Sequence, residues 1–393
     1  MLTDQQISTI KATIPVLEEH GTTVTTHFYK KMFADHPELL NLFNHVNQKT
    51  GNQPKALAYS LYQSAVHIER LEAILPVVKQ IAHKHRSIGV KAEHYPIVGE
   101  YLLKAMQDIL DLDENDPVIE AWGAAYGIIA DIFIQVEQEM YEAAAWEDFR
   151  PLKVKKKEAE GEEIMSFYLG TENGEPLPSF EPGQYISIKA EIPGEKYQHI
   201  RQYSLSDGPG RGHFRISVKR EKEPEGLVSN YLHDHVEIGD TLLFSAPAGD
   251  FTVQETEAPL VLLSGGVGVT PLLSMYKRVR EVQPKRPVTF VQAVRNENVH
   301  GLAEEINDLK QDDHVRHITV YEEPEKADAG DFQGRLTPDT LLSFLPDEEA
   351  EYYLCGPELF MQAVYDMLRE AGIPSERISY EFFGPTMTLV ENA

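Results

Sequence analysis

Apolar positions in the first 147 residues recur at three and four, and no stretch sustains a period of two, so this region predicts helices throughout. Thr3, with Gln6 three residues later, has the spacing of a helix-opening capping box. Val24, Phe28 and Met32 make one stripe, with Tyr29 and Phe33 beside it. Leu39–Phe43 predicts a short turn or helix after Pro37, and a polar stretch runs on to Asn52. Pro54 opens a further helix, on which Gln53 and Leu57 stand one turn apart on the same side. After Pro76, Val78, Ile81 and Ile88 mark one helical face, and His85 falls on it. His83 lies roughly 160° round the wheel from His85 and is expected to face water. Gly89 suits the stop. Another helix follows Tyr95–Pro96 through Leu110. Asp116–Pro117 starts the last one, with Trp122, Tyr126, Ile129, Phe133 and Met140 on one stripe. Glu137 continues that stripe. Either it is buried with a partner, or Val136 takes the inner slot and Glu137 edges into solvent.

The pattern changes near residue 148. A basic run from Arg150 is no longer helical in period, and alternating strands follow: Met165/Phe167/Leu169, Ile186/Ile188 and Phe214/Ile216/Val218. Gly- and Pro-bearing turns separate them, at Glu181–Gly183 and Asp207–Gly210. About six short strands without long helices between them predict a small antiparallel barrel. From residue 259, strands at Leu260–Leu263, Val288–Val294, His317–Tyr321, Tyr352–Leu354 and Ile378–Glu381 alternate with helices, which implies a doubly wound parallel sheet. The expected domains are therefore 1–147, all-helical; 148–254, the barrel; and 255–393, α/β.

Length agrees, since 393 residues exceed one ordinary core. A formal net charge of −27 argues against nucleic acid as a partner, because phosphate binding needs a positive surface. A single cysteine, Cys355, permits no intrachain disulfide and fits a cytoplasmic location. The N-terminus lacks the apolar core of a signal peptide. Ala258–Tyr276 is uncharged, but its glycines, serines and Pro271 make it strand–loop–helix rather than a membrane span.

That segment holds the sharpest chemical signal. Gly265-Gly266-Val267-Gly268-Val269-Thr270-Pro271 follows an apolar strand and opens a helix, with Thr270 as the expected cap. Glycines let backbone approach a pyrophosphate, and a helix N-terminus favours the anion. The loop is neither a Rossmann Gly-x-Gly-x-x-Gly nor a P-loop, and a plain tight turn is the alternative. In the barrel, Arg201-Gln202-Tyr203-Ser204 offers a phosphate fork, a flat ring face and a hydroxyl. The Gly226–Leu232 stretch, containing Ser229, is a second possible phosphate site. Leu354-Cys355-Gly356-Pro357 ends a strand where ligands of open α/β sheets sit, with Cys355 either functional or simply small and buried. Tyr380–Pro385 offers aromatic cover, or merely a packed last strand. Arg295 and Asn296 follow the second α/β strand, where a 2′-phosphate would be met, and leave NADH against NADPH open.

Together, the Arg-Gln-Tyr-Ser strand, the Gly-Gly-Val-Gly-Val-Thr-Pro loop and the Leu-Cys-Gly-Pro turn resemble the ferredoxin–NADP reductase superfamily. With helical residues Tyr29, Phe43, Gln53, His85, Tyr95 and Glu137 in front, the whole chain resembles the flavohaemoglobins, also called nitric oxide dioxygenases. The resemblance implies an all-α globin domain, a Greek-key FAD barrel and an NAD(P) α/β domain. It implies His85 as the metal ligand of haem b, and Tyr95 and Glu137 as the pair orienting it. Tyr29 and Gln53 become the distal polar residues, with Leu57 and Phe43 against the porphyrin. Lys84 and Glu381 match positions between haem and flavin. Tyr185, Arg201, Gln202, Tyr203 and Ser204 match FAD contacts, and Phe383 the aromatic over the flavin. Gly266, Val267, Gly268, Val269, Thr270 and Pro271 match the nicotinamide nucleotide loop. Ser229, Cys355, Phe382, Gly384 and Pro385 complete the expected cofactor contacts. The implied reaction carries electrons from NADH or NADPH through FAD to haem, where O2 oxidises nitric oxide to nitrate, a defence against nitrosative stress. The implied protein is a monomer with no stable membrane anchor. Competing readings are a globin-coupled reductase of flavins, ferric complexes or peroxides, and an oxygen store or sensor with a self-reducing tail.

Overall fold

The computed structural model describes residues 2–308 and 312–384. It divides into two compact units: the chain up to Asp148 with Lys189–Arg201 and Gly384, and Phe149–Ile188 with Gln202–Phe383.

The first unit is helical: α1 (Asp4–Ala12), α2 (Ile14–Asp35), α3 (His45–Lys49), α4 (Asn52–Val66), α5 (Leu75–Ile88), α6 (His94–Leu110) and α7 (Pro117–Ala143). Local chemistry sets their ends. Thr3 and Gln6 form the reciprocal capping box, and the Asp116 carboxylate accepts from the Val118 N–H at 2.8 Å. Gly89 closes α5 at φ 87°, a left-handed conformation that suits glycine. The core gathers Val24, Phe28, Met32, Leu61, Leu102, Met106 and Trp122 from α2, α4, α6 and α7. Within the polar stretch to Asn52, Asn44 caps the short α3 by accepting from Val46 N–H. One expectation needs correcting: His83 is not turned to water but half-buried, with its Nδ1 enclosed. A wheel with one buried face misplaces it: Ser87, about 40° away on the wheel, is also fully buried, so α5 is covered on a second side.

α7 is, among the described residues, the helix long and apolar enough to cross a membrane, yet it packs on α1, α5 and α6. Where α6 crosses it, Gly99 lies against Tyr126, and a Cβ there would meet the Tyr126 ring at 2.4 Å.

Mostly in the second unit, β1 (Phe149–Glu160), β2 (Ile164–Gly170), β3 (Tyr185–Ala190), β4 (His199–Ser204), β5 (Phe214–Lys219) and, after α8 (Leu227–His235), β6 (Thr241–Ser245) form one sheet in the order β4-β3-β6-β1-β2-β5. The β1–β2, β2–β5 and β1–β6 pairs are antiparallel. Then come β7 (Leu260–Gly265), α9 (Val269–Val282), β8 (Val288–Val294), α10 (Ala303–Asn307), β9 (Val315–Tyr321), β10 (Phe332–Gln333), α11 (Pro338–Leu342), β11 (Glu351–Cys355), α12 (Glu358–Glu370) and β12 (Ile378–Glu381). These strands form a parallel sheet in the order β10-β9-β8-β7-β11-β12. Period two sends Leu260 and Leu262 to the core under α9, and Val261 and Leu263 to the core under α12. The expected antiparallel-then-parallel architecture is what the chain adopts. The two-residue β10 carries too few side chains to show a period, and the hydrophobic pattern missed it.

Gly99→Ala is expected to destabilise the first unit by about 1–3 kcal/mol through overpacking. Gly123→Ala, whose Cβ would lie 3.6 Å from Leu103, is expected to be neutral or stabilising. Thermal midpoints of the two variants compare them directly.

Candidate active site

A carboxylate buried to 3 % exposure governs the helical unit. Glu137 Oε1 lies 2.7 Å from His85 Nδ1 and 2.5 Å from the Tyr95 hydroxyl. Glu137, not the half-buried Val136, takes the inner slot. With Tyr95 donating to this oxygen, the short His85 contact places the ring proton on Nδ1. Nε2, on the opposite edge of the ring, then carries a lone pair and has no hydrogen-bond partner among the described residues. That is the atom a metal takes from a neutral imidazole, and a carboxylate on the other nitrogen is the usual support. The Phe133 ring stands 5.8 Å from the His85 ring and 6.2 Å from that of Tyr95. On α5, Ile81 and Ile88 share the half-buried face of His85. A single imidazole on an apolar face suits a haem, whose other donors are its own porphyrin nitrogens.

Tyr29 is 6 % exposed, and burial pushes its phenol up to about 12 despite the hydrogen bond from Gln53. Gln53 Nε2 donates to the Tyr29 oxygen at 3.4 Å, which leaves the phenolic proton for another acceptor. Phe43 meets the Tyr29 ring edge-on at 5.7 Å, and Leu57 packs on the same core. Burial, then the Glu137 carboxylate, also hold the Tyr95 phenol well above its ordinary value. Lys84, half-buried on α5, donates from Nζ to the Gly384 carbonyl at 2.8 Å.

The periodicity did not reveal one support. The Tyr126 hydroxyl donates to the Tyr95 carbonyl at 2.6 Å and so ties the first turn of α6 to α7. On the sequence Tyr126 was only one more stripe residue. Gly99, opposite it on α6, is the signal that was available.

In the barrel, Arg201, Gln202 and Tyr203 are half-exposed on β4, whereas Ser204 is buried. Gln202 Nε2 donates to Ser187 at 3.2 Å, and Tyr185 lies buried with its ring under Gly249. Ser229 is engaged within its own turn, donating to the Gly226 carbonyl at 3.2 Å and accepting from Glu221 N–H at 3.3 Å.

The parallel sheet reverses its winding between β7 and β11, the point where open α/β sheets bind ligands. The two flagged turns meet there. Gly268 lies against the Cys355 carbonyl, where a Cβ would come within 2.1 Å, and Gly265 lies against Pro357 and Phe360. These two glycines also allow one turn to pack on the other. Gly266, at φ +51° with open space around it, and the half-buried Val267 form the reachable part of the loop. Val269, Thr270 and Pro271 are buried. Thr270 is not the cap: a 3-10 turn over Gly266–Gly268 runs straight into α9, so Gly268 caps it and Thr270 Oγ1 donates back to the Val267 carbonyl.

Cys355 is fully buried, and burial raises its thiol, which disfavours a reactive thiolate. Its Sγ lies 3.6 Å from the Glu381 carbonyl. Phe382 is half-buried and Phe383 is 51 % exposed. Pro385 lies outside the described residues. Arg295 pairs with Glu163 at 3.1 Å.

Comparison with known proteins gives the same three parts. Residues 26–133 match the family described as Globin, 151–253 the oxidoreductase FAD-binding domain, and 262–366 the oxidoreductase NAD-binding domain. A flavohemoprotein of Halalkalibacterium halodurans is 49% identical over 398 residues, covering 98% of this chain and 97% of that one. One from Bacillus subtilis is 46% identical, with both chains covered in full. The crystal structure of a flavohemoglobin from Malassezia yamatoensis with bound FAD and heme has a TM-score of 0.86 at 28% identity, covering 98% of this chain and 100% of that one. The FAD/NAD-binding domain of nitric oxide dioxygenase from Vibrio cholerae has a TM-score of 0.55 at 38% identity, covering 60% of this chain and 98% of that one.

Removing the buried carboxylate tests the His85 geometry. Glu137→Ala is expected to weaken haem retention about 10–100-fold, with Tyr95→Phe intermediate, both measured by haem titration. Tyr29 gives a pH test. An unfolded tyrosine ionises near 10, so the stability owed to the neutral Tyr29 phenol is intact below about pH 10 and declines toward pH 12. Tyr29→Phe is expected to flatten that part of the alkaline decline in denaturant midpoints.

Proposed function

The chain belongs to the flavohaemoprotein family, an oxidoreductase family uniting haem, FAD and NAD-binding domains, and from that premise we propose that it is an NAD(P)H-dependent nitric oxide dioxygenase. The observation that carries this reading is the Glu137 carboxylate at 2.7 Å from His85 Nδ1. A carboxylate on the far nitrogen makes the imidazole a stronger donor through Nε2, which favours turning oxygen over rather than storing it.

Bound haem would supply oxygen binding and one-electron chemistry; the chain supplies position and electrostatics. Each nitric oxide oxidised to nitrate consumes one oxygen and one electron. A flavin suits this because it accepts a hydride pair and releases electrons singly. Arg201, Gln202 and Tyr203 would hold that flavin. The Gly266–Val267 backbone at the start of α9 would hold the pyrophosphate of the dinucleotide. Tyr29 keeps its proton throughout the physiological range, so it remains a donor to the distal ligand. Gln53 orients it by donating to its oxygen. Glu137 and Tyr95 keep the His85 ring from rotating and fix its tautomer.

The neutral Tyr29 with Gln53 would also suit tight oxygen retention, so storage is the second reading. Nitric oxide removal with NADH and oxygen separates them. Removal well beyond one equivalent per haem is expected, and removal that stops at one equivalent would leave only the store. His85→Ala is expected to lose haem while keeping flavin reduction by NADH.

A further inference from the structure

The second unit carries a chain of buried charges outside the cofactor contacts. Asp207 lies in the loop after β4, three residues beyond Ser204, and its side chain is 11 % exposed. Its Oδ1 lies 2.5 Å from Lys277 Nζ, and its Oδ2 lies 2.9 Å from His213 Nε2. Lys277, on α9 and 16 % exposed, also pairs with Glu305 on α10. Glu305 then accepts from Arg215 Nη1 at 2.8 Å. Arg215, on β5 and 3 % exposed, returns to the barrel by donating from Nε to Ser206 at 3.0 Å and from Nη2 to the Ser206 carbonyl. The order is anion, cation, anion, cation, with the barrel supplying the two ends, Asp207 and Arg215, and the α/β helices the middle pair, Lys277 and Glu305. One α9 turn before Lys277, Ser274 Oγ donates to the Asp207 carbonyl at 2.7 Å.

These contacts join two particular elements. Asp207 continues from the strand that bears Arg201–Ser204. Lys277 is on the helix that Gly266–Gly268 opens, two turns from its N-terminus. The covalent connection between barrel and parallel sheet is fixed at its far end by Arg286, which donates to the carbonyls of Ala258 at 2.7 Å and Gln254 at 2.8 Å. A connection held only at that end leaves a pivot. A second attachment along α9 fixes the rotation about it. The remaining polar contacts between the two parts include a backbone bond from Glu162 N to Asn298 O and the half-exposed Arg295–Glu163 pair. In the Asp207–Lys277–Glu305–Arg215 chain, Asp207, Lys277 and Arg215 are largely buried and Glu305 is 30 % exposed, so these ion pairs are directional and less screened than surface pairs.

We propose that Asp207, Lys277, Glu305 and Arg215 are positioning residues for hydride transfer: an ionic clasp that holds α9, and with it the nucleotide loop, at the angle that brings nicotinamide to flavin. This rests on the reading of β4 as the flavin strand and of Gly266–Val267 as the nucleotide loop, and not on nitric oxide as substrate. Hydride transfer is steeply sensitive to donor–acceptor placement, and a misplacement of about 1 Å can lower a rate about 100-fold. Binding of the nucleotide to its own loop does not require the clasp.

The test is anaerobic stopped-flow bleaching of the flavin by NADH in the full-length holoprotein. Lys277→Met is expected to lower the saturating rate at least tenfold, while FAD content and half-saturating NADH stay within twofold of the parent. Lys277→Arg, which keeps the cation, is expected to recover most of the rate. Saturating rates within twofold of the parent in Lys277→Met would overturn the proposal. So would a loss that appears only in FAD content or in half-saturating NADH, because the charges would then serve the fold alone. If Lys277→Met does not accumulate folded, Glu305→Gln decides by the same readings, with a several-fold fall expected. A parent protein whose flavin NADH cannot bleach would overturn the reductase reading and the clasp together. Bleaching indifferent to the variants would overturn the clasp alone.

Discussion

Everything in the helical unit is arranged around one oxygen atom. Glu137 Oε1 accepts hydrogen bonds from His85 and Tyr95 at 2.7 and 2.5 Å in a buried position. A buried carboxylate without donors costs several kcal/mol, so the fold must deliver both donors at once. α5 brings one and α6 the other, while α7 carries the acceptor. The crossing of α6 and α7 is then fixed by the requirement that Tyr95 reach Glu137. The missing Cβ at Gly99 lets Tyr126 enter that crossing, and its hydroxyl holds the Tyr95 carbonyl at 2.6 Å. What looks like packing is therefore also the support of a proton's position, since the tautomer of His85 depends on it.

The parts legible in the sequence were those where one period or one short motif specifies the answer. The capping box at Thr3, the start at Asp116 and the stop at Gly89 all follow from residues within a turn or two of each other; Glu137 stayed open between the inner slot and solvent, because its donors come from other helices. The misreadings share a different cause. His83 was judged from one face of a helix that is covered on two. Thr270 has a good cap residue's chemistry, but glycines permit the turn before it to tighten into a 3-10 turn and start the helix early. Nothing local announces that the turn at Cys355 will press on Gly268 from 87 residues further along, or that Pro357 and Phe360 will press on Gly265. The buried ion chain was invisible for the same reason. Arg215 reads as an ordinary residue between Phe214 and Ile216, and Asp207 as a turn former. Only the tertiary fold makes them neighbours of Lys277 and Glu305.

The two units solve opposite problems with buried charge. Around His85 a single carboxylate is enclosed so that an imidazole is pinned and its proton assigned. In the second unit, four charges of alternating sign sit between barrel and parallel sheet, where burial alone would push the Asp207 carboxyl up but hydrogen bonds from His213 and Lys277 hold it well below its ordinary range. The first arrangement tunes an atom, and the second restrains a helix. Neither is an efficient source of stability, because desolvation offsets most of the attraction in buried pairs. Geometry is what such pairs supply in return.

Net charge sharpens this distinction. At −27 the chain as a whole repels the anionic dinucleotide it uses. Attraction must therefore be local, short-ranged and directional. Backbone N–H groups at the start of α9 fit that description, since they carry fixed dipoles and cannot be neutralised by neighbouring carboxylates as a lysine can. Arg295, the side-chain cation placed where a 2′-phosphate would be met, is paired with Glu163 instead. An acidic protein that bound its dinucleotide through backbone rather than side-chain charge would depend on where that backbone points. On the proposed reading, that dependence would place the helix bearing the loop, and whatever fixes its angle, among the determinants of turnover.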